Sequence, residues 1–271
     1  MRKFFRIPGS RFGTVTLIAV LTVVLGAPLF TPYSPTTIDV APRLSAPSAQ
    51  HPLGTDELGR DLLSRTLHGG RVTMLIAIGV VLLAGTVGSA IGLWIGFRGG
   101  WWDATLMRVV DVALSFPALV LAMALAAVLG PNLRNAMLAV ALVQIPFYVR
   151  MMRGEALRLK DREFVLAAES LGTSRLRTLV THVLPNALQV LIVYATLGLG
   201  VSALSVASLS FLGLGAQPPT PEWGALVSTG RSYLLDQWWY STVPGLGLFV
   251  MVTALNILGD ALREYLDPKV G

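Results

Sequence analysis

The chain has 271 residues, 54% hydrophobic and 13% charged, with a formal net charge of +6 and no cysteine. Ordinary globular chains carry about 25% charged residues, so the composition argues against a soluble protein with long buried helices and for a membrane protein. The missing cysteine excludes disulfides, thiolate metal sites and thiol catalysis.

Charge-free runs cover 12–38, 72–97, 112–133, 135–149, 178–221 and 237–259, and a bilayer crossing needs roughly 20 apolar residues. Six spans are predicted near 14–30, 72–97, 108–129, 135–152, 186–212 and 243–262, giving an all-α integral membrane protein. With the N-terminus inside, 15 lysines and arginines fall in inner segments, Arg2, Lys3 and Lys269 among them, and 6 in outer ones. The positive-inside rule therefore places both termini in the cytoplasm. Topology and contact with the lipid bilayer account for the positive charge, so no nucleic acid is invoked.

The first span follows Arg2, Lys3 and Arg6 and ends near Gly26-Ala27, which also resembles a secretory signal. Pro28 makes a poor cleavage context, so an uncleaved span is expected. The segment 31–71 is proline-rich up to Pro52 and then reads HPLGTDELGRDLLSRTLHGGR. Thr55 is a candidate N-cap, and Leu58, Leu62, Leu63 and Leu67 suggest an amphipathic helix on the membrane surface, stopped by Gly69-Gly70.

Span two carries Gly88, Gly92 and Gly96 at small-xxx-small spacing, which suits close packing on a helix of this chain or a partner. Span three holds Arg108 and Asp111, three apart and able to pair. Pro117 bends it, which is compatible with a gate or with a plain kink. Span four is short and contains Pro146; Arg150 and Arg153 are expected to snorkel to the interface.

The loop 153–185 has the most ordered pattern in the chain. Phe164, Ala167, Ala168 and Leu171 fall at i, i+3, i+4 and i+7, one face of a helix, and Gly172 is placed to end it. Thr173 and Ser174 can cap a second short helix running to His182, before Leu184-Pro185. Two alanines make the apolar face small, so that a partner backbone could approach; a loop resting on lipid headgroups is the alternative.

Span five is rich in small residues, and Ser202, Ser205 and Ser208 would line roughly one face, which either packs tightly or borders a hydrated path. In the outer loop 213–242, Thr220 is placed to cap a helix with Pro221 first and Glu222 in its first turn. Trp223 reads as an interfacial tryptophan.

No catalytic or metal constellation stands out. His51, His68 and His182 lack ligand spacing, and no lysine follows a glycine as a phosphate-binding loop requires. Carboxylates are scarce at span centres, which argues against a proton- or sodium-coupled carrier and for energy supplied by another chain.

The segment AAESLGTSRLRTLVTHVLP resembles the coupling loop of bacterial ABC-importer permeases, Glu-Ala-Ala, three residues, Gly, nine residues, Ile-x-Leu-Pro. Ala167, Ala168, Gly172, Leu184 and Pro185 align with it, whereas Leu166 and His182 stand at the Glu and Ile positions. HPLGTDELGRDLLSR with GGR, LMRVVDVALSFPALVLA, GAQPPTPEWG and LGDALREYLDPK are similar to the dipeptide/oligopeptide/nickel permease family, C-type subunit.

The resemblance implies a six-span fold of the type I importer kind, with 1–71 as a first span plus outer segment and 72–271 as the permease core. It also implies a B-type permease partner, two ATPase subunits that hold ATP and Mg, and an extracytoplasmic substrate-binding protein; this chain needs no cofactor of its own. By motif position Phe164 through Gly172, including Val165 and Glu169, would couple to the ATPase, with Leu184-Pro185 closing the motif. Pro117, Ser202, Ser205 and Ser208 are candidate path or gate residues, and Pro221, Glu222 and Trp223 candidate outer docking residues. Short peptides are the expected cargo, with nickel chelates, glutathione or haem as alternatives. A secondary carrier or channel working without an ATPase is the competing class.

Overall fold

The computed structural model describes residues 4–7 and 9–266; Arg2, Lys3 and Lys269 lie outside them. Among the described residues the chain is helical, with one isolated bridge between Thr55 and Asp61 and no strand. In order, the helices are α1 (Ser10–Leu25), α2 (Ala27–Phe30), α3 (Leu62–Arg98), α4 (Gly100–Ser115), α5 (Ala118–Leu129) and α6 (Leu133–Lys160). They continue with α7 (Glu163–Ser170), α8 (Arg175–Thr178), α9 (Leu184–Phe211), α10 (Trp223–Gly230) and α11 (Trp238–Leu266).

Four helices are long and apolar enough to cross a membrane: α3, α6, the α8–α9 run and α11. The predicted third span is not one rod. α4 and α5 meet at a 92° bend at Phe116-Pro117, because proline restricts the residue before it to extended geometry, and Phe116 has φ −85° and ψ 141°. A count of six crossings therefore takes α4–α5 as one and the shorter apolar α1, 16 residues, as another.

α3 is the hub, and α6 is its principal neighbour. The glycine stripe packs within this chain. A Cβ on Gly88 would lie 2.9 Å from the Ile145 carbonyl oxygen, and one on Gly96 2.8 Å from the Ala156 Cβ. Small residues let the two backbones approach, which drives helix association in lipid. Alanines at 84, 122, 126, 136, 139 and 141 build the central core in the same way, around Tyr148 and Leu209.

Three sequence expectations fail between 55 and 71. No surface helix forms there, and Thr55 caps none, its hydroxyl donating to Pro42 O; α3 starts at Leu62, capped by Asp61, whose Oδ2 accepts from the Ser64 N–H at 2.7 Å. Gly69-Gly70 do not stop it, since the helix runs on through them. Their lack of a side chain instead admits the Trp223 ring and Leu226, which a Cβ would meet.

Arg108 does not take Asp111, and Arg150 and Arg153 each meet a carboxylate of α4. Asp111 pairs with Arg150, and Asp103 with Arg153 at 2.6 Å, tying α4 to α6. The short second helix after Gly172 is also absent as such. α8 passes through a π-helical turn, Leu179–Val183, into α9, so the helix is continuous from Arg175 to Phe211. Pro185 lacks an N–H, and the widened turn absorbs the missing bond. Thr181 and Asn186 side chains donate to the carbonyls of Arg177 and His182, at 2.7 and 2.6 Å.

Candidate functional site

α7 joins α6 to the α8–α9 run, and one side of it is sealed by this chain. Val165 is buried in a cluster with Leu93, Met152, Ala156, Leu159, Val183 and Ala187, drawn from α3, α6, the π turn and α9. Ala168, one turn on, is buried as well. The sequence pattern had put Ala168 on the same face as Phe164, Ala167 and Leu171. Instead it turns inward, while Phe164, Leu166, Ala167 and Glu169 are exposed and Leu171 is 87% exposed.

The helix ends in a Schellman motif. The Thr173 N–H donates to Ala168 O at 3.1 Å and the Gly172 N–H to Glu169 O at 2.9 Å. Gly172 has φ +84°, which a side chain would adopt only under strain, and nothing lies within 4 Å of where a Cβ would be. The result is a short, rigid helix with an unpartnered apolar ridge and a bare, turned C-terminus. Leu184 is half-buried and Pro185 exposed in the first turn of α9, directly behind it.

Beside α7 lies a hollow of about 610 Å³ lined by Arg158, Arg162, Phe164, Asn186 and Gln189 among others. Arg158 pairs with Glu155, which is buried. A second hollow of about 300 Å³, between α6, α9 and α11, shares Arg158, Asn186 and Gln189 and adds Tyr194 and Arg263. Polar groups thus gather on the concave side of α6, α9 and α11.

The opposite end is finished internally. Asp56 Oδ1 accepts from the N–H groups of Leu58 and Arg60, both at 2.9 Å, and Oδ2 from Arg60 Nε at 2.6 Å. Arg65 Nε lies 3.2 Å from the same carboxylate, and its Nη1 donates to Pro35 O at 2.8 Å. His51 Nδ1 meets Asp61 Oδ1 at 2.9 Å. The Tyr240 hydroxyl donates to Glu57 at 2.6 Å, linking α11 to the segment 31–61.

Glu222 and Trp223 belong to this sealed end and not to an outer docking surface. Glu222 caps α10, accepting from Ala225 N at 3.0 Å and from Thr73 Oγ1 at 2.9 Å, and is wholly buried. The Trp223 indole donates to Thr66 O at 2.8 Å and is buried, not interfacial. Pro221 is buried beside them, outside the helix that it was expected to open. The physical reason is the polar outer end of α3, which needs an acceptor and an indole to complete it.

The three serines of α9 separate as well. Ser202 is buried and exchanges hydrogen bonds with Gln144 of α6, the amide donating at 3.0 Å, so it fastens two helices. Ser205 and Ser208 are partly exposed and donate to their own helix, at Val201 O and Leu204 O. Pro117 is exposed at the α4–α5 bend. The ionic cluster around Asp56 was missed because DELGRDLLSR was read at helical period; its signal was the alternation of acids and arginines at 56, 57, 60, 61 and 65.

Residues 88–271, more than half of the chain, match the family model described as "Binding-protein-dependent transport system inner membrane component". The chain is 48% identical over 257 residues to a probable D,D-dipeptide transport system permease protein of Escherichia coli (strain K12), covering 95% of this chain and 86% of that one. A dipeptide transport system permease protein of Alkalihalophilus pseudofirmus is 39% identical over 258 residues, 95% of this chain and 85% of its own length. A glutathione transport system permease protein of Escherichia coli O6:K15:H31 is 39% identical over 270 residues, 99% of this chain and 89% of that one.

Proposed function

Because this chain belongs to the family of binding-protein-dependent transport system inner membrane components, we propose that it forms half of the passage of an ATP-driven importer of short peptides in the bacterial inner membrane. As a permease subunit it carries no catalytic role of its own. ATP and Mg are held by two ATPase subunits, a B-type permease forms the other half, and an extracytoplasmic binding protein delivers cargo. Both termini and α7 face the cytoplasm, as the distribution of positive charge indicates.

The observation that carries this reading is the one-sided burial of α7. Val165 packs with residues of α3, α6 and α9 and Ala168 is buried beside it in sequence, while Phe164, Ala167 and Leu171 are exposed. A motor gripping the free ridge would move α6 and α9 as a unit, since the buried side leaves no slack between them and α7. Those two helices bound the polar hollows beside Arg158 and Asn186, so the motion would open or close that side of the passage.

Uptake by membrane vesicles containing the whole transporter tests the proposal. Leu171→Arg should abolish ATP-dependent uptake of labelled dipeptides without reducing the amount of inserted chain. Full uptake by that variant would contradict coupling through α7. Short peptides are favoured because the relatives above are named for a D,D-dipeptide, a dipeptide and glutathione. Competition among D-alanyl-D-alanine, an L-dipeptide and glutathione ranks them, and indifference to all three would overturn the peptide assignment.

A further inference from the structure

A hollow of about 380 Å³ lies between the end of α3 and the start of the α8–α9 run, lined by Trp94, Phe97, Arg98, Arg175, Leu176 and Leu179. Its chemistry is divided: four apolar or aromatic walls and two guanidinium groups. Among the described residues neither Arg98 nor Arg175 pairs with a carboxylate. The Arg98 guanidinium carbon sits 5.5 Å from the centre of the Trp94 ring. Stacking of this kind holds the guanidinium plane while leaving its N–H edge to donate to an oxyanion.

The depth of the hollow in the membrane follows from α3. Arg71 and Arg98 bound its charge-free stretch 72–97, and 27 residues of helix rise about 40 Å. That matches the roughly 40–45 Å of a bilayer with its headgroups, so Arg98 stands at headgroup level. Trp101 and Trp102, exposed on α4 just beyond it, mark the same level. Leu176 and Val180, one turn apart and both exposed, continue the apolar wall toward the hydrocarbon.

We propose that this hollow binds an anionic phospholipid, its phosphate held by Arg98 and Arg175 and one acyl chain lying along Leu176 and Leu179. The site does not depend on the coupling role of α7. It explains two unpaired cations beside a tryptophan cluster at the lipid boundary, where anionic headgroups are the abundant counter-charge.

The test uses the intact transporter in nanodiscs of phosphatidylethanolamine and phosphatidylglycerol, with retained lipid counted by native mass spectrometry. Arg98→Gln with Arg175→Gln should lower retained phosphatidylglycerol by roughly fivefold per arginine, as expected for interfacial basic residues, and leave phosphatidylethanolamine unchanged. Arg134→Gln, an exposed cation elsewhere, should have no effect. Equal retention in the double variant would overturn the proposal. So would loss of the ATPase subunits with lipid retained, which would make the hollow part of a protein contact. Displacement by millimolar inorganic phosphate would also overturn it, in favour of a free-anion site. Uptake by the double variant separates this from the coupling proposal, whose ridge residues are untouched.

Discussion

The two ends of this molecule are finished differently. At the α10 end every buried charge meets a partner inside the chain: Asp56 with Arg60 and Arg65, His51 with Asp61, Glu222 with Thr73. At the α7 end large apolar side chains at 164, 166 and 171 are exposed, and nothing lies within 4 Å of where a Cβ on Gly172 would be. Burying charge is tolerable only when it is paired and hydrogen-bonded, so the first end is a closed structural cap. An apolar ridge outside the bilayer is tolerable only when something covers it. One end satisfies its buried charges within the chain; the other leaves an apolar ridge for the partner proposed above.

Four substitutions, ranked by their expected effect on stability, probe that contrast. Trp223→Ala should cost about 3–5 kcal/mol, because the indole fills the space over Gly70 and Gly247 and satisfies Thr66 O; a large fall in the unfolding midpoint in detergent is the readout. Glu222→Ala should cost about 1–2 kcal/mol, from the lost cap and the lost Thr73 contact, the hydroxyl keeping its bond to Gly69 O, seen in the same assay. An unchanged midpoint for either would show that the cap is not self-sealed.

Asp103→Asn weakens a partly exposed pair with Arg153 and should cost about 1 kcal/mol or less. It should instead loosen α4 against α6, read as faster amide hydrogen exchange in α4. Leu171→Arg should change stability by no more than about 0.5 kcal/mol, since the side chain has no neighbours to lose, yet it should abolish uptake. A stability loss like that of Trp223→Ala would mean that the ridge is part of this chain's own core.

The long apolar helices and the glycine stripe were legible because composition and spacing act locally. The stop at Gly172 was legible for the same reason: a left-handed C-terminal turn is a one-residue requirement. What escaped was tertiary. Nothing in the spacing of Phe164, Ala167, Ala168 and Leu171 says which side the parent chain takes, and Val183 and Ala187 decide it by packing on Val165. Helical period also concealed the 55–61 turn, where the Asp56 carboxylate holds the backbone by accepting N–H bonds, a local competition with helix that Asp side chains often win. Ser202, Glu222 and Trp223 looked available because loop position and small size were the only signals; their partners lie 58 to 157 residues away.

The central claim is that the ridge of α7 is covered by the ATPase subunit. The natural chain has no cysteine, so single-cysteine variants need no other change. Leu171→Cys and, as a control at the opposite end, the equally exposed Leu235→Cys would each carry a short photoactivatable cross-linker in the assembled transporter. The account predicts a conjugate between Leu171→Cys and an ATPase chain, with a yield that changes on adding ATP, and none from Leu235→Cys. A Leu171→Cys variant that labels only lipid in a transporter fully active in uptake would contradict it.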